Sequence, residues 1–293
     1  MKICEFIQLF VPPIYHKVKN KLMPSKQSVV HPLPQLEQRG DKLIIIGNGP
    51  SLNLSIEKNF KDIIEMDRLM VNHSASTVLY EKIQPNYYLL VDPAWVYPND
   101  SAHKDAVFKT IDSIVLKTTW SMKLIMPSNA YGCYAVERFQ ENTKIQVLYY
   151  NDQWLCPKGV SQLDAWDQNL ITPPAQTVLN TAVWLSIYWG YKETYLIGAD
   201  TSFLADLKVD QQTNLLYTAD THFYNNKAVY ENSYDSVNNR HFIGTKLHEE
   251  LFAIGTALKD YWDMKEYADW KGVKVYNASE YSWIDAFERK KLV

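Results

Sequence analysis

The run Lys42-Leu43-Ile44-Ile45-Ile46-Gly47-Asn48-Gly49-Pro50-Ser51-Leu52 constrains this chain more than any other stretch. A continuous apolar segment, β-branched at its centre, is the signature of a strand covered on both faces, as in a parallel sheet. Followed by a glycine turn and small polar residues, it is also how such a strand enters a loop that holds a phosphate or nucleotide. Gly47 and Gly49 let the backbone turn sharply and approach a ligand closely. Asn48 and Ser51 offer side-chain hydrogen bonds, and Pro50 suits the first turn of a helix, where its missing N–H leaves nothing unsatisfied. The stretch lacks the third glycine of the dinucleotide fingerprint and the Gly-Lys-Ser/Thr of a Walker loop. Alone, it is equally compatible with plain α/β architecture.

Further strand signals follow at intervals. Arg68–Val71 ends at Asn72-His73-Ser74, and Tyr87–Val91 ends at Asp92-Pro93. Ser113–Leu116 and Ile145–Leu148 are weaker, while Thr194–Ile197 is clear and runs into Gly198-Ala199-Asp200. Before it, Thr177 to Trp189 reads as a helix with Leu179, Val183 and Ile187 on one face and Gly190 as its C-terminal stop. A second helix begins at Thr245, with Leu247, Leu251, Ile254, Leu258 and Tyr261 on one stripe, and leads to a last strand at Val273–Tyr276. The charged tail Phe287–Lys291 reads as surface. Strands alternating with helices imply a doubly wound, mainly parallel, Rossmann-like α/β sheet. Asn48, Asn72, Asp92, Asp200 and Asn277 all fall at or just past the carboxyl ends of its strands, where open α/β sheets form their ligand crevice.

Two segments stand apart from that alternation. Residues 1–40 form an arm and linker: apolar Phe6, Ile7, Leu9, Phe10, Val11 and Ile14, then Lys17, Lys19, Lys21 and Lys26, then a stretch with three prolines. The apolar part is far shorter than the roughly 20 residues that span a bilayer, and it has no signal-peptide cleavage pattern. Residues 1–26 suit the cytoplasmic face of a membrane, where each Lys gains roughly 1 kcal/mol from anionic lipid; they suit equally an arm packed on the body or on a second subunit. Residues 41–293 are the Rossmann-like body, and about 201–244, rich in polar and aromatic residues without periodicity, form an inserted lid.

Composition removes several function classes. A net charge of −3 provides no basic field for nucleic acid. The three cysteines, Cys4, Cys133 and Cys156, are odd in number and widely spaced, which fits reduced thiols in a cytoplasmic protein rather than a metal set. There is no Asp-x-Asp, His-Glu-x-x-His or Gly-x-Ser-x-Gly. No metal ligand set and no cofactor are therefore expected. What remains is histidine as general base. His222, His241 and His248 lie in or beside the lid, and each is individually compatible with a structural role. A first-turn helical position favours a neutral ring for His248, which can then accept a proton. His222, flanked by aromatics, is the second choice, and His241 is an alternative orienting group.

These residues resemble two families. Ile44–Leu52, Asn72, Asp92-Pro93, Thr177 with its helix, Gly190–Asp200, His241-Phe242-Ile243-Gly244 and Val275–Ser282 are similar to motifs of the bacterial sialyltransferases of glycosyltransferase family 42. Tyr88-x-x-x-Asp92-Pro93, Gly198–Ser202, His222-Phe223-Tyr224, Lys246–Glu249 and Tyr276–Ser279 through Asp285–Arg289 resemble MptE-like proteins of bacterial surface polysaccharide clusters. The first resemblance implies an inverting, metal-independent transfer from a nucleotide-activated sugar, with a CMP-linked acidic sugar as donor and a glycan or lipid-linked glycan as acceptor. In that reading Asn48, Ser51, Asn72 and Thr177 hold nucleotide and phosphate, Asp92 and Asn277 contact ribose, base or sugar, and Gly47, Gly49, Pro50, Asp200, Ser202 and Ser282 complete the donor-binding set. The second implies, for some members, a pterin diphosphokinase that uses ATP and Mg²⁺; a non-catalytic nucleotide-binding subunit is a third reading. The chain departs from the sialyltransferases in carrying Thr245 where their catalytic histidine follows His-Tyr-Ile-Gly. Either the base is then another histidine, with His248 three residues on, or the reaction is a different one.

Overall fold

The structure is a computed structural model and describes residues 33, 34, 36 and 40–292, apart from 102, 154, 155, 174, 175, 213, 215, 219–233, 236–239, 244 and 245. The arm through residue 32, His222 and Thr245 therefore lie outside the described residues. Leu33 is buried, and its carbonyl accepts a hydrogen bond from Tyr188 Oη at 3.0 Å, so the last part of the linker is tied to the body.

Strands β1 (Lys42–Ile46), β2 (Asp67–Val71), β3 (Tyr87–Leu89), β4 (Met122–Pro127), β5 (Ile145–Tyr150), β6 (Glu193–Ile197), β11 (Lys274–Asn277) and β12 (Glu288–Arg289) form one eight-stranded sheet in the order β12-β11-β6-β1-β2-β3-β4-β5. Every pairing in it is parallel. From β1 the chain moves outward to β5, then returns to the other side of β1 for β6, β11 and β12. The strand order therefore reverses between β1 and β6, and the crevice of a doubly wound sheet opens at the carboxyl ends of those two strands.

Helices α1 (Leu52–Glu65), α2 (Val78–Ile83), α3 (Lys104–Lys117) and α4 (Tyr134–Gln140) follow the outward strands; α5 (Gln162–Asp167), α6 (Val178–Tyr188) and α7 (Leu247–Lys271) belong to the return. Alternate residues of β1 feed opposite faces. Ile44 and Ile46 join Ile56, Ile63, Ile111 and Val136 of the first helix set. Leu43 and Ile45 join Trp166, Val183, Trp184, Ile187 and Met264 of the second. This two-sided burial is why β1 is continuously apolar. α6 is the central helix of its layer, with every residue from Leu179 to Tyr188 buried, and Gly190 follows in the left-handed conformation that a helix stop needs.

Between β6 and α7, a second, antiparallel sheet is built from β7 (Lys208–Val209), β8 (Leu216–Thr218), β9 (Tyr234–Asp235) and β10 (Arg240–Ile243), ordered β7-β8-β10-β9. Among the described residues no helix is long and apolar enough to cross a membrane.

Three local expectations are corrected. Ser113–Leu116 is the last turn of α3, not a strand: Ile111 and Ile114 face the core while Leu116 is 76% exposed, so helical periodicity outweighs the apolar run. The strand of that region is β4, which begins six residues after Leu116. Pro50 precedes α1 rather than opening it; the Leu52 amide donates to the Gly49 carbonyl at 3.0 Å, closing a turn in which proline's fixed φ is favourable. The tail is not simply surface, because Phe287 is buried and Glu288–Arg289 add an edge strand to β11.

Candidate functional site at the strand-order reversal

At the carboxyl ends of β1 and β6 the loops they enter are bonded directly to each other. The Gly47 amide donates to the Ile197 carbonyl at 2.9 Å, and the Gly49 amide to the Gly198 carbonyl at 2.8 Å. Asp200 completes the junction: its Oδ2 accepts from the Ser51 amide at 3.0 Å and its Oδ1 from Ser51 Oγ at 2.6 Å. A Cβ on Gly49 would overlap the Asp200 carboxylate and the Gly198 carbonyl, so glycine here admits a neighbouring loop. Gly198 has a positive φ of 58°, and Thr201, which is β-branched, also sits at a positive φ of 49°. Such backbone is held only where its surroundings over-determine it. Burial raises the pKa of the Asp200 carboxyl, and the two Ser51 bonds pull it back down.

The loop after β11 is tied to the same junction. Ser282 Oγ donates to the Ala199 carbonyl at 2.6 Å, the Trp283 amide to the Asp200 carbonyl at 2.8 Å, and Ser279 Oγ accepts from the Ala199 amide at 3.0 Å. Asn277, itself buried, donates to Ser282 Oγ at 2.9 Å and to the Ile284 carbonyl at 3.0 Å. The side chains of Ser51, Asp200, Asn277 and Ser282 are thus engaged in fixing loop shape.

On the β2 side, Asn48 Nδ2 donates to the Val71 carbonyl at 3.2 Å, and its Oδ1 accepts from Ser74 Oγ at 2.6 Å. Asn72 adopts a positive φ of 50°, and its Oδ1 is enclosed with no hydrogen-bond partner. A buried acceptor without a donor, beside a glycine loop, is a departure from the usual pairing of buried polar groups, of the kind that marks functional sites. His73 follows it, with Nδ1 2.8 Å from Thr110 Oγ1 and its ring against Trp95 at 4.9 Å. Thr110 Oγ1 also lies 2.9 Å from the Ala106 carbonyl and 2.9 Å from Ser76 Oγ, so the ring is tied into a hydroxyl network against α3. Asp92, exposed after β3, caps a short 3₁₀ turn by accepting from the Ala94 amide at 2.7 Å.

Thr177 is the N-cap of α6 and brings that helix's N-terminus to the same edge of the sheet. It exchanges hydrogen bonds with Asn180, and its Oγ1 lies 3.3 Å from Tyr261 Oη of α7. Burial raises the Tyr261 pKa to about 12, while hydrogen bonds from Thr177 and Thr201 oppose the shift. Ser202 opens a 3₁₀ turn at Phe203–Asp206. His248 is exposed in the first turn of α7, where Lys246 occupies the N-cap position, and His241 lies in β10.

The structure therefore brings Gly47, Asn48, Gly49, Pro50, Ser51, Asn72, Asp200, Asn277 and Ser282 into adjoining loops, with Thr177 opposite and Asp92 at the margin. It also adds residues that the sequence did not single out. Ser74, Ser279 and His73 lie at the same strand ends and were open to the same argument. Tyr261 was read only as part of an apolar stripe, and its neighbour Asp260 carries no motif. Among the described residues no three of His, Cys, Asp and Glu converge as a metal-binding group.

No family model matches the chain, and no curated protein matches it. Among solved structures, the MAf glycosyltransferase from Magnetospirillum magneticum AMB-1 is similar in fold, with a TM-score of 0.54 at 15% identity. The match covers 89% of this chain and 35% of that one, so the chain spans about a third of the length of this neighbour. That likeness is one of fold: the doubly wound α/β architecture is shared.

Proposed function

We propose that the protein is a glycosyltransferase that binds a nucleotide-activated sugar at the β1/β6 junction. The observation that carries this reading is the enclosed, donor-less Asn72 Oδ1 beside a glycine loop locked by Asp200, at the point where the strand order reverses. The fold of the MAf glycosyltransferase and the motif patches similar to the family 42 sialyltransferases support it. In this reading the Asn72 amide and the backbone of Gly47–Ser51 hold the nucleotide. Thr177 at the α6 N-terminus stands where a helix end favours phosphate, and Asp92 meets ribose or sugar. Asp200, Asn277 and Ser282 are positioning residues for these groups.

Chemically, a histidine takes the proton of an acceptor hydroxyl, whose oxygen attacks the anomeric carbon as the nucleotide departs, with inversion. His248, in the first turn of the helix that follows the insertion, is the proposed base. A CMP-linked acidic sugar is the donor favoured by resemblance, transfer is metal-independent, and a surface glycan is the acceptor class. A thermal-shift screen of CMP, UDP, GDP and ADP tests the site: one nucleotide should raise Tm in wild type and not in Asn72→Ala. Equal shifts in both proteins would contradict it. The MptE-like resemblance favours a second reading, diphosphate transfer from ATP, which requires Mg²⁺; full activity in EDTA would exclude that one.

A further inference from the structure

Three aromatic side chains stand in solvent on the β11 side of the junction. Trp262 of α7 is 51% exposed, Tyr281 49% and Trp283 37%. They are rigidly placed: the Trp283 amide is bonded to the Asp200 carbonyl at 2.8 Å, and the intervening Ser282 to the Ala199 carbonyl at 2.6 Å. The loop that carries Tyr281 and Trp283 is therefore bonded to the backbone that locks the glycine loop, and Trp262 reaches it from α7. Their polar edges are occupied laterally, since the Trp283 indole N–H donates to Tyr281 Oη and that of Trp262 to Asp285 Oδ1 at 3.1 Å. Much of each side chain is nonetheless open to solvent, and carboxylates flank the group: exposed Asp285, and Glu280, which binds Lys58 at 2.9 Å.

We infer that Tyr281, Trp283 and Trp262 are a stacking platform for a neutral sugar, with Asp285 accepting hydrogen bonds from its hydroxyls. A pyranose presents an apolar C–H face and a rim of O–H donors, which matches aromatic faces bordered by acceptors. A phosphate-bearing ligand would instead meet carboxylates of its own sign. An apolar partner helix would strip water from those carboxylates and offer them no further donor. The leucine that continues the exposed stripe of α7, Leu251, lies eleven residues before Trp262, about 16 Å along the helix, so the aromatic group is distinct from it. Assigning this sugar to the acceptor rests on the glycosyltransferase reading; the stacking itself does not.

Titration calorimetry and saturation-transfer NMR of the full chain with lactose and with chitotriose test the platform in the absence of any donor. The expected result is saturable millimolar binding of at least one saccharide, with magnetisation transferred to its ring C–H protons. Trp283→Ala and Trp262→Ala should each weaken it at least fivefold. Trp283→Phe and Trp262→Phe, which keep a ring, should retain most of it, and Leu251→Ser should leave it unchanged. No saturable binding of either saccharide would overturn the inference. So would a loss in Leu251→Ser equal to that in Trp283→Ala, or displacement of the saccharide by CMP. Saccharide binding with no turnover of any nucleotide-sugar would leave the platform standing and remove the transferase reading.

Discussion

Ser51 and Asp200, 149 residues apart, are joined by two hydrogen bonds, one from the Ser51 amide at 3.0 Å and one from its hydroxyl at 2.6 Å. This pair links the loop after β1 to the loop after β6. An ionised carboxylate accepting both donors is a strong acceptor. Asp200→Asn keeps the shape but turns an N–H₂ toward one Ser51 donor, and should lower stability by about 1–3 kcal/mol. Ser51→Ala removes one bond and should cost about 1 kcal/mol. A double-mutant cycle by urea unfolding should give a coupling on the order of 1 kcal/mol, whereas independent residues would add without coupling.

Gly49→Ala places a methyl group against the Asp200 carboxylate and the Gly198 carbonyl, both held by hydrogen bonds of their own. Overpacking of this kind should lower stability by roughly 1–3 kcal/mol. Pairing it with Asp200→Ala, which vacates the space, should recover part of that loss. Thermal unfolding of the two single variants and the double variant checks the relation.

Asp260, on α7 beside Tyr261, is 4% exposed, and its Oδ2 is enclosed without a hydrogen-bond partner. Burial pushes its pKa up to about 7, Asp263 adds to the shift and Lys259 opposes it. Lys259 is itself bound to Asp263 at 2.6 Å. An acid whose folded pKa exceeds its unfolded value near 3.9 destabilises the fold as pH rises; the loss begins above about 4 and is complete above about 7. Asp260→Asn should therefore stabilise the protein at pH 8 by on the order of 2 kcal/mol, with the gain closing toward pH 4. A gain independent of pH would refute the assignment of a buried, uncompensated carboxylate.

The base is tested by substitution. His248→Ala should abolish nucleotide release from the active donor, while His222→Ala and His241→Ala retain it. Equal activity in all three variants would sink the choice of His248.

Much of this architecture was legible because parallel strands buried on both faces are continuously apolar. The runs Leu43–Ile46, Leu69–Val71 and Tyr195–Ile197 each announce themselves in that way. The Gly190 stop was equally visible, since it acts through local backbone geometry. β4 was obscured by its neighbour: Ile114-Val115-Leu116 is more strand-like in composition than Lys123, which interrupts β4, and only the burial of Ile111 and Ile114 on one face identifies the helix. The strands of the insertion are two to four residues long, too short to establish a period. The strand-end argument located the junction from Asn48, Asn72, Asp200 and Asn277. It could not tell which of them are committed to neighbours, because the Ser51–Asp200 and Asn277–Ser282 partnerships are set by loop geometry. Asp260 was invisible for the complementary reason: its character comes from burial against other elements, not from its own residue type.

The most direct test of the central claim is nucleotide release from CMP-, UDP- and GDP-linked sugars, compared between wild type and Asn72→Ala. One donor should release its nucleotide in wild type, and the rate at subsaturating donor should fall at least tenfold in the variant with the protein still folded. No release or transfer from any donor by wild type, or equal rates in the two proteins, would contradict the proposal that this junction is a sugar-nucleotide site.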